Sequence, residues 1–84
     1  MRFLYFYFMK DAPDRVRATA PEHASYWREL GLRTFLGGPF ADRSGGLITF
    51  EADSGAEAER LVANDPFLRD DLLERHWVKE WLAD

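Results

Sequence analysis

The segment that most constrains the fold is the first one, residues 2–8, which reads RFLYFYF. It is short, rich in aromatic residues and free of Gly and Pro, which is typical of a β-strand. Because side chains alternate between the two faces of a strand, each face carries three apolar side chains. They are Phe3, Tyr5 and Tyr7 on one face and Leu4, Phe6 and Phe8 on the other. Both faces therefore need to be covered.

The chain has 84 residues and no cysteine, so it has little material with which to cover both faces. A domain of this size buries only about 60% of the surface of its unfolded chain, and no disulfide is available to compensate. Two helices can cover one face of a small sheet, whereas a patch of aromatic rings on the other face usually marks an interface. We therefore predict a homodimer that associates through its sheets.

The charge balance argues against a nucleic-acid partner. The chain carries 15 acidic and 11 basic residues and a net charge of -4, which opposes attraction to phosphates. The apolar run at the start is too short to span a membrane, and it lacks the small residues of a signal-peptide cleavage site. We expect one cytoplasmic domain over residues 1–84, with no membrane partner.

The remaining pattern predicts the element order βαββαβ, an α+β arrangement of the ferredoxin-like type. The sequence Thr19-Ala20-Pro21-Glu22 has the form of a capping box, so we predict a helix from about Ala20 to Leu30 that stops at Gly31. A turn and a loose helical turn precede it. The sequence Ser54-Gly55-Ala56-Glu57 is a second capping box and predicts a helix to about Ala63. The predicted later strands are residues 33–40, 47–52 and 76–82, with a turn at residues 42–46.

His23 is the strongest candidate for acid-base chemistry, because imidazole both takes and gives a proton near neutral pH. It shares a helix stripe with Trp27, which turns it towards the sheet. A core histidine satisfied by one hydrogen bond explains the same position. Asp65 is its natural partner, since a carboxylate on one imidazole nitrogen makes the other a better base. An Asp before Pro66 is also a standard helix N-cap, so both interpretations stay open.

The run Gly37-Gly38-Pro39 would let backbone approach a ligand and present N–H groups to an oxyanion, but as a motif it is weak, and a bulged strand end is the favoured explanation. Two histidines and no cysteine make a metal site implausible, and His76 is expected to face solvent. No phosphate loop or dinucleotide fingerprint is present, so we expect no cofactor.

Four motifs together resemble the YCII-related (YciI-like) family in their order and spacing. They are Pro21-Glu22-His23, Gly31, Gly37-Gly38-Pro39 and Asp65-Pro66-Phe67. The resemblance covers essentially the whole chain. It implies a ferredoxin-like fold of the dimeric α/β barrel type, a homodimer, and a His-Asp acid/base pair in a pocket beside the sheet, which falls on His23 and Asp65. It also suggests small aromatic or quinone-type chemistry, including dehydrochlorination.

The chain departs from some of these relatives, which carry an Arg shortly before the His where Ala20 stands here. If that Arg binds an anionic substrate, this chain either prefers a neutral substrate or uses Arg15 or Arg17 instead.

Two functions follow from these features. The first is a cofactor-independent lyase or isomerase type of enzyme, which moves a proton on a small cyclic or aromatic compound with His23 as general base and Asp65 as its orienter. Substrate contacts are then expected from Gly37, Gly38, Pro39, Trp27 and Tyr5. The alternative is a non-catalytic dimeric module that binds a small ligand or regulates a partner. Fold alone does not decide between them, whereas an open cavity beside a hydrogen-bonded pair of His23 and Asp65 favours the enzyme.

Overall fold

The computed structural model describes residues 1–83, which form one four-stranded antiparallel sheet and three helices. The elements are β1 (Arg2–Met9), α1 (Pro13–Glu29), β2 (Leu36–Pro39), β3 (Gly45–Glu51), α2 (Gly55–Ala63), α3 (Pro66–Arg69) and β4 (Leu73–Glu80). The strand order is β2-β3-β1-β4, which places β1 in the centre. The predicted α+β, ferredoxin-like class is therefore confirmed, with α3 as a short addition before the last strand.

The helices cover one face of the sheet, and the core lies between the helices and this face. Tyr5 and Tyr7 of β1 point into this core and are buried, as is Phe3. Trp27 of α1 is also buried, and its ring lies 5.6 Å from that of Tyr5. The apolar alternation of β1 thus places its three ring-bearing odd positions under the helices.

The opposite face of the sheet carries the other apolar positions of β1 and has no helix over it in the described chain. Phe6 stacks on Trp77 of β4, with ring centroids 5.1 Å apart. The guanidinium carbon of Arg75 lies 5.1 Å from the centre of the Phe8 ring. Leu36 of β2 is 74% exposed and Trp77 is 36% exposed, so a hydrophobic surface faces outwards.

Helix α1 is longer than predicted. It begins at Pro13 and runs through Pro21, while the predicted N-cap, Thr19, lies inside it and donates to Asp70 Oδ2 at 3.4 Å. A proline inside a helix removes one backbone hydrogen bond, which favours a break. Here Val16, in the turns before Pro21, packs against the core, and this burial keeps the helix continuous.

Three strand boundaries also differ from prediction. Strand β2 is shorter than residues 33–40, β4 starts and ends earlier than residues 76–82, and β3 begins at Gly45, inside the predicted turn. The two glycines at the start of β3 are needed because β1 lies so close. A Cβ at Gly45 would clash with the Tyr7 carbonyl oxygen, and one at Gly46 would lie 2.5 Å from the Tyr7 hydroxyl oxygen.

Both later helix starts agree with prediction. Ser54 caps α2 by accepting from the Glu57 backbone N–H at 3.1 Å, and α2 ends at Ala63. Asp65 caps α3 by accepting from the Phe67 N–H. Gly31, just after α1, has a φ of 62°, the left-handed conformation that glycine adopts without strain at a helix end. None of the helices within residues 1–83 is long and apolar enough to cross a membrane.

Candidate active site

A groove of about 430 Å³ lies between α1 and the edge of the sheet formed by β2 and β3. Tyr7 and Ile48 of the sheet line it, as do His23 of α1 and Phe67 of α3. One wall is the backbone of β2 at Gly37, Gly38 and Pro39, where the two glycines have no side chain to fill the groove. The other wall is the stripe of α1 that includes Trp27. The volume is within the usual range for small-molecule sites.

Asp65 lies behind His23, away from the groove, and is completely buried. Its Oδ1 accepts from the Phe67 N–H at 3.0 Å and lies 2.7 Å from Nδ1 of His23. Its Oδ2 accepts from the Tyr5 hydroxyl at 2.7 Å. The carboxylate is therefore both a helix cap and the partner of two side chains that are distant in the sequence.

His23 connects this buried carboxylate to the groove. An ionised carboxylate only accepts hydrogen bonds, so its bond to Nδ1 assigns the ring proton to that nitrogen. Nε2 is then an acceptor, and the Tyr7 hydroxyl lies 3.2 Å from it. The ring stacks on Phe67 with centroids 4.1 Å apart, and the His23 side chain is 12% exposed. Packing and hydrogen bonds thus hold the imidazole in one orientation with Nε2 towards the groove.

The two tyrosines of this network are held in their neutral form. Burial raises the pKa of both Tyr5 and Tyr7 well above the ordinary range of a phenol, and the nearby charge of Asp65 raises them further. Both hydroxyls consequently remain hydrogen-bond donors at neutral and mildly alkaline pH. The order from the core to the groove is Tyr5, Asp65, His23 and Tyr7.

The structure places most of the sequence-predicted site residues together, with one exception. His23, Trp27 and the Gly37-Gly38-Pro39 run line the groove, and Asp65 lies directly behind it. Tyr5 does not line the groove, because its ring is buried beneath Asp65 and its hydroxyl supports that carboxylate. In the described structure Tyr5 therefore contacts Asp65 and not the groove.

Tyr7 and Phe67 belong to the site but were not singled out from the sequence. Tyr7 shares the core face of β1 with Tyr5, so alternation placed it correctly without indicating its hydrogen bond to His23. Phe67 is part of the Asp65-Pro66-Phe67 motif, and its ring forms the stacking surface for the imidazole. His76 is exposed on β4 and does not line the groove.

The arginines considered as substitutes for the missing one lie elsewhere. Arg15 donates to the carbonyl oxygen of Asp70 at 2.9 Å, and Arg17 pairs with Asp14 at 3.0 Å. Neither lines the groove; Arg28 and Arg43 do. Residues 1–83 hold no cluster of His, Asp or Glu side chains suited to a metal ion.

Comparison with known proteins identifies the family. The profile of the YCII-related domain matches residues 1–82. The chain belongs to the YCII-related family. Among curated proteins no match is found.

Solved structures show the same fold as this YCII-related chain. One is 5-chloro-2-hydroxyhydroquinone dehydrochlorinase (TftG) from Burkholderia phenoliruptrix AC1100, in complex with 2,5-dihydroxybenzoquinone. It is 26% identical, with a TM-score of 0.78 over 96% of this chain and 93% of that one. An antibiotic biosynthesis monooxygenase is 16% identical, with a TM-score of 0.66 over 99% and 97% of the two chains. SnoaB, a cofactor-independent oxygenase from Streptomyces nogalater, is 14% identical, with a TM-score of 0.53 over 99% and 93%. The last two likenesses concern the fold alone.

Proposed function

We propose that this protein is a cofactor-independent enzyme that moves a proton on a small cyclic or aromatic compound, in an elimination or an isomerisation. His23 is the general base, and Asp65 is the residue that positions it. The observation that carries this proposal is the imidazole itself, which lines an open groove while its Nδ1 lies 2.7 Å from a completely buried carboxylate.

The role of Asp65 follows from its hydrogen bonds. By accepting a hydrogen bond from Nδ1–H it leaves the Nε2 lone pair free to accept a proton, and it stabilises the imidazolium that forms when Nε2 takes that proton from substrate. Tyr5 and the Phe67 N–H hold the carboxylate in place, so the pair needs little reorganisation during reaction.

The same base serves both reaction types. In an elimination, the electrons of the broken C–H bond form a new double bond while the leaving group departs with its own electron pair, and His23 later returns the proton to water. In an isomerisation, His23 returns the proton to a different atom of the same substrate. Neither sequence requires an external oxidant or reductant.

Tyr7 supplies a donor at the same point. Its hydroxyl is 3.2 Å from Nε2, at the long end of the range for such bonds. A substrate whose acidic hydrogen approaches Nε2 replaces this bond and leaves the neutral phenol to donate to a substrate oxygen. The backbone at Gly37 and Gly38 is a further candidate for that role, since it lines the groove.

Two further observations support the proposal. TftG, which has the same fold and is 26% identical, is by name a dehydrochlorinase and was crystallised with a dihydroxybenzoquinone, which favours ring compounds as substrates. The outward hydrophobic face around Phe6, Trp77 and Leu36 favours a homodimer in which two sheets cover each other.

Proton transfer is tested most directly in D₂O. The protein is incubated with hydroxylated benzenes and quinones, including 5-chloro-2-hydroxyhydroquinone, and NMR follows deuterium entering ring C–H positions while an electrode follows chloride release. His23→Gln should abolish both, and Asp65→Asn should slow them by about 10- to 100-fold. If compounds bind equally to the wild type and to His23→Gln but show no exchange or turnover, the protein is a ligand-binding module and the proposal is wrong.

A further inference from the structure

The charges around the groove differ from those of the chain as a whole. The chain has more acidic than basic residues and a net charge of -4. The groove is lined by two arginines, Arg28 and Arg43, together with His23, and no Asp or Glu of the described residues lines it. The nearest carboxylate of the network, Asp65, lies behind the imidazole and is completely buried. The groove is therefore a positive site in an acidic protein.

Neither groove arginine is held in an ion pair within the described residues. Within residues 1–83, Arg28 and Arg43 have no ion-pair partner and donate no side-chain hydrogen bond. Arg33 and Arg69, by contrast, both pair with carboxylates. Two unpaired guanidinium groups beside an apolar cavity are a site for an anion, because guanidinium binds carboxylates through paired N–H donors.

Arg43 also has an unusual backbone. Its φ is 65°, in the left-handed region where a side chain is strained, and it lies in the turn between β2 and β3. Glycine occupies such positions without strain. Thr34 and Asp71 share this conformation, so it is the position of Arg43 on the groove that distinguishes it from them.

The two arginines lie towards opposite ends of the groove. Arg28 follows His23 by five residues, which is about 7–8 Å along the helix axis. Arg43 belongs to the β2–β3 turn and also lines a neighbouring cavity beside Val16 and Ala20, towards the start of α1. A ring that contacts His23 can therefore carry its charged group towards either arginine.

We propose that the groove binds aromatic carboxylates in preference to neutral ring compounds, with Arg28 and Arg43 as the residues that determine this specificity. The inference deepens the proposed function, since it names the substrate class of the same groove. The ring lies against Tyr7, Phe67 and His23, and the carboxylate is held by a guanidinium at the end of the groove.

Two probes of nearly the same shape, one charged and one neutral, test the preference. 2,5-Dihydroxybenzoate and 2,5-dihydroxybenzamide share their ring and hydroxyl groups, and their affinities are measured by isothermal titration calorimetry at low and moderate salt. The acid should bind about tenfold more tightly or better, as expected for one charge-assisted guanidinium contact, and salt should reduce the difference.

Matched variants locate the charge. The double variant Arg28→Gln/Arg43→Gln should bind acid and amide with equal affinity, and the single variants show which end holds the carboxylate. Arg60→Gln on α2, away from the groove, makes the same change in net charge as each single variant and should leave the acid's affinity within about twofold. Arg43→Gly removes the charge and also relieves the strain at a positive φ. It therefore serves as a second test at this position if Gln in the turn disturbs the fold.

Equal affinity of wild type for the two probes, or no binding of either at millimolar concentration, would overturn the inference. So would a preference for the acid that survives in the double variant. These outcomes are independent of catalysis. A protein that prefers the acid but shows no deuterium exchange would support this specificity and contradict the proposed function. A protein that exchanges deuterium but binds acid and amide equally would support the proposed function and contradict this specificity.

Discussion

Truncation of Asp65 is the sharpest test of the buried network. Asp65→Ala removes the acceptor of three hydrogen bonds, to the Tyr5 hydroxyl, the Phe67 N–H and Nδ1 of His23. Tyr5 is 0% exposed and Phe67 5%, so water cannot replace the lost partner at those two donors. A buried donor without a partner costs about 1–3 kcal/mol, so the variant should lose about 3–5 kcal/mol of unfolding free energy, since His23 retains some access to water.

The matched control is Ser54→Ala. Ser54 caps α2 through one exposed hydrogen bond to the Glu57 N–H, so its removal should cost about 1 kcal/mol, the usual value for a helix cap. Urea unfolding at a fixed protein concentration, followed by far-UV circular dichroism, measures both. With a slope of about 1 kcal/mol/M for a small domain, the midpoint should fall by about 3 M or more for Asp65→Ala and by about 1 M for Ser54→Ala.

Asp65→Asn gives a second measure of the same network. The amide oxygen can still accept from His23 and Phe67, and the Tyr5 hydroxyl can turn to accept from the amide N–H, so this variant should be more stable than Asp65→Ala. If Asp65→Ala costs no more than Ser54→Ala, then Asp65 is merely a helix cap and the reasoning about the network is wrong.

Three further predictions concern other parts of the molecule. Because the pKa values of Tyr5 and Tyr7 are raised in the fold, their contribution to stability is complete below about pH 10, where unfolded tyrosine ionises, and falls as pH rises further by up to about 1.4 kcal/mol per pH unit for each. Urea unfolding between pH 8 and 11 should therefore show a shallower decline of the unfolding free energy for Tyr5→Phe/Tyr7→Phe than for wild type. An equal decline in the two proteins would contradict this account. Light scattering should report twice the 9.8 kDa chain mass for wild type and a folded monomer for Trp77→Lys; a wild-type monomer would rule out the dimer. Gly46→Ala should lower the unfolding free energy by about 1–3 kcal/mol, because its Cβ would lie 2.5 Å from the Tyr7 hydroxyl oxygen. Gly55→Ala has open space around its Cβ and should be neutral or stabilising in thermal unfolding. Equal costs for the two variants would argue against the close approach.

Local patterns in the sequence were sufficient for much of the fold. The alternation in residues 2–8 correctly placed Tyr5 and Tyr7 on the core face, since side chains of a strand alternate whatever surrounds it. Ser54 and Asp65 were correctly placed as helix caps, because a cap depends on the backbone within three residues. The family resemblance, carried by short motifs in order, also agreed with the family match over residues 1–82.

The tertiary structure decided what depends on contacts between distant segments. Helix α1 continues through Pro21 because Val16 before it packs on the core, and no local pattern contains that burial energy. The glycines at the start of β3 have the composition of a turn, yet they lie in the strand because Tyr7 approaches them from β1.

The candidate site shows the same division. His23 and Asp65 were chosen from the sequence for their chemistry, but they are 42 residues apart, and only packing brings Nδ1 to 2.7 Å from the carboxylate. The supporting role of Tyr5 and the bond from Tyr7 to His23 likewise depend on how α1 and α3 lie across β1. Residue chemistry is local and readable in a sequence, whereas a distance between side chains is set by the packing of the elements that carry them.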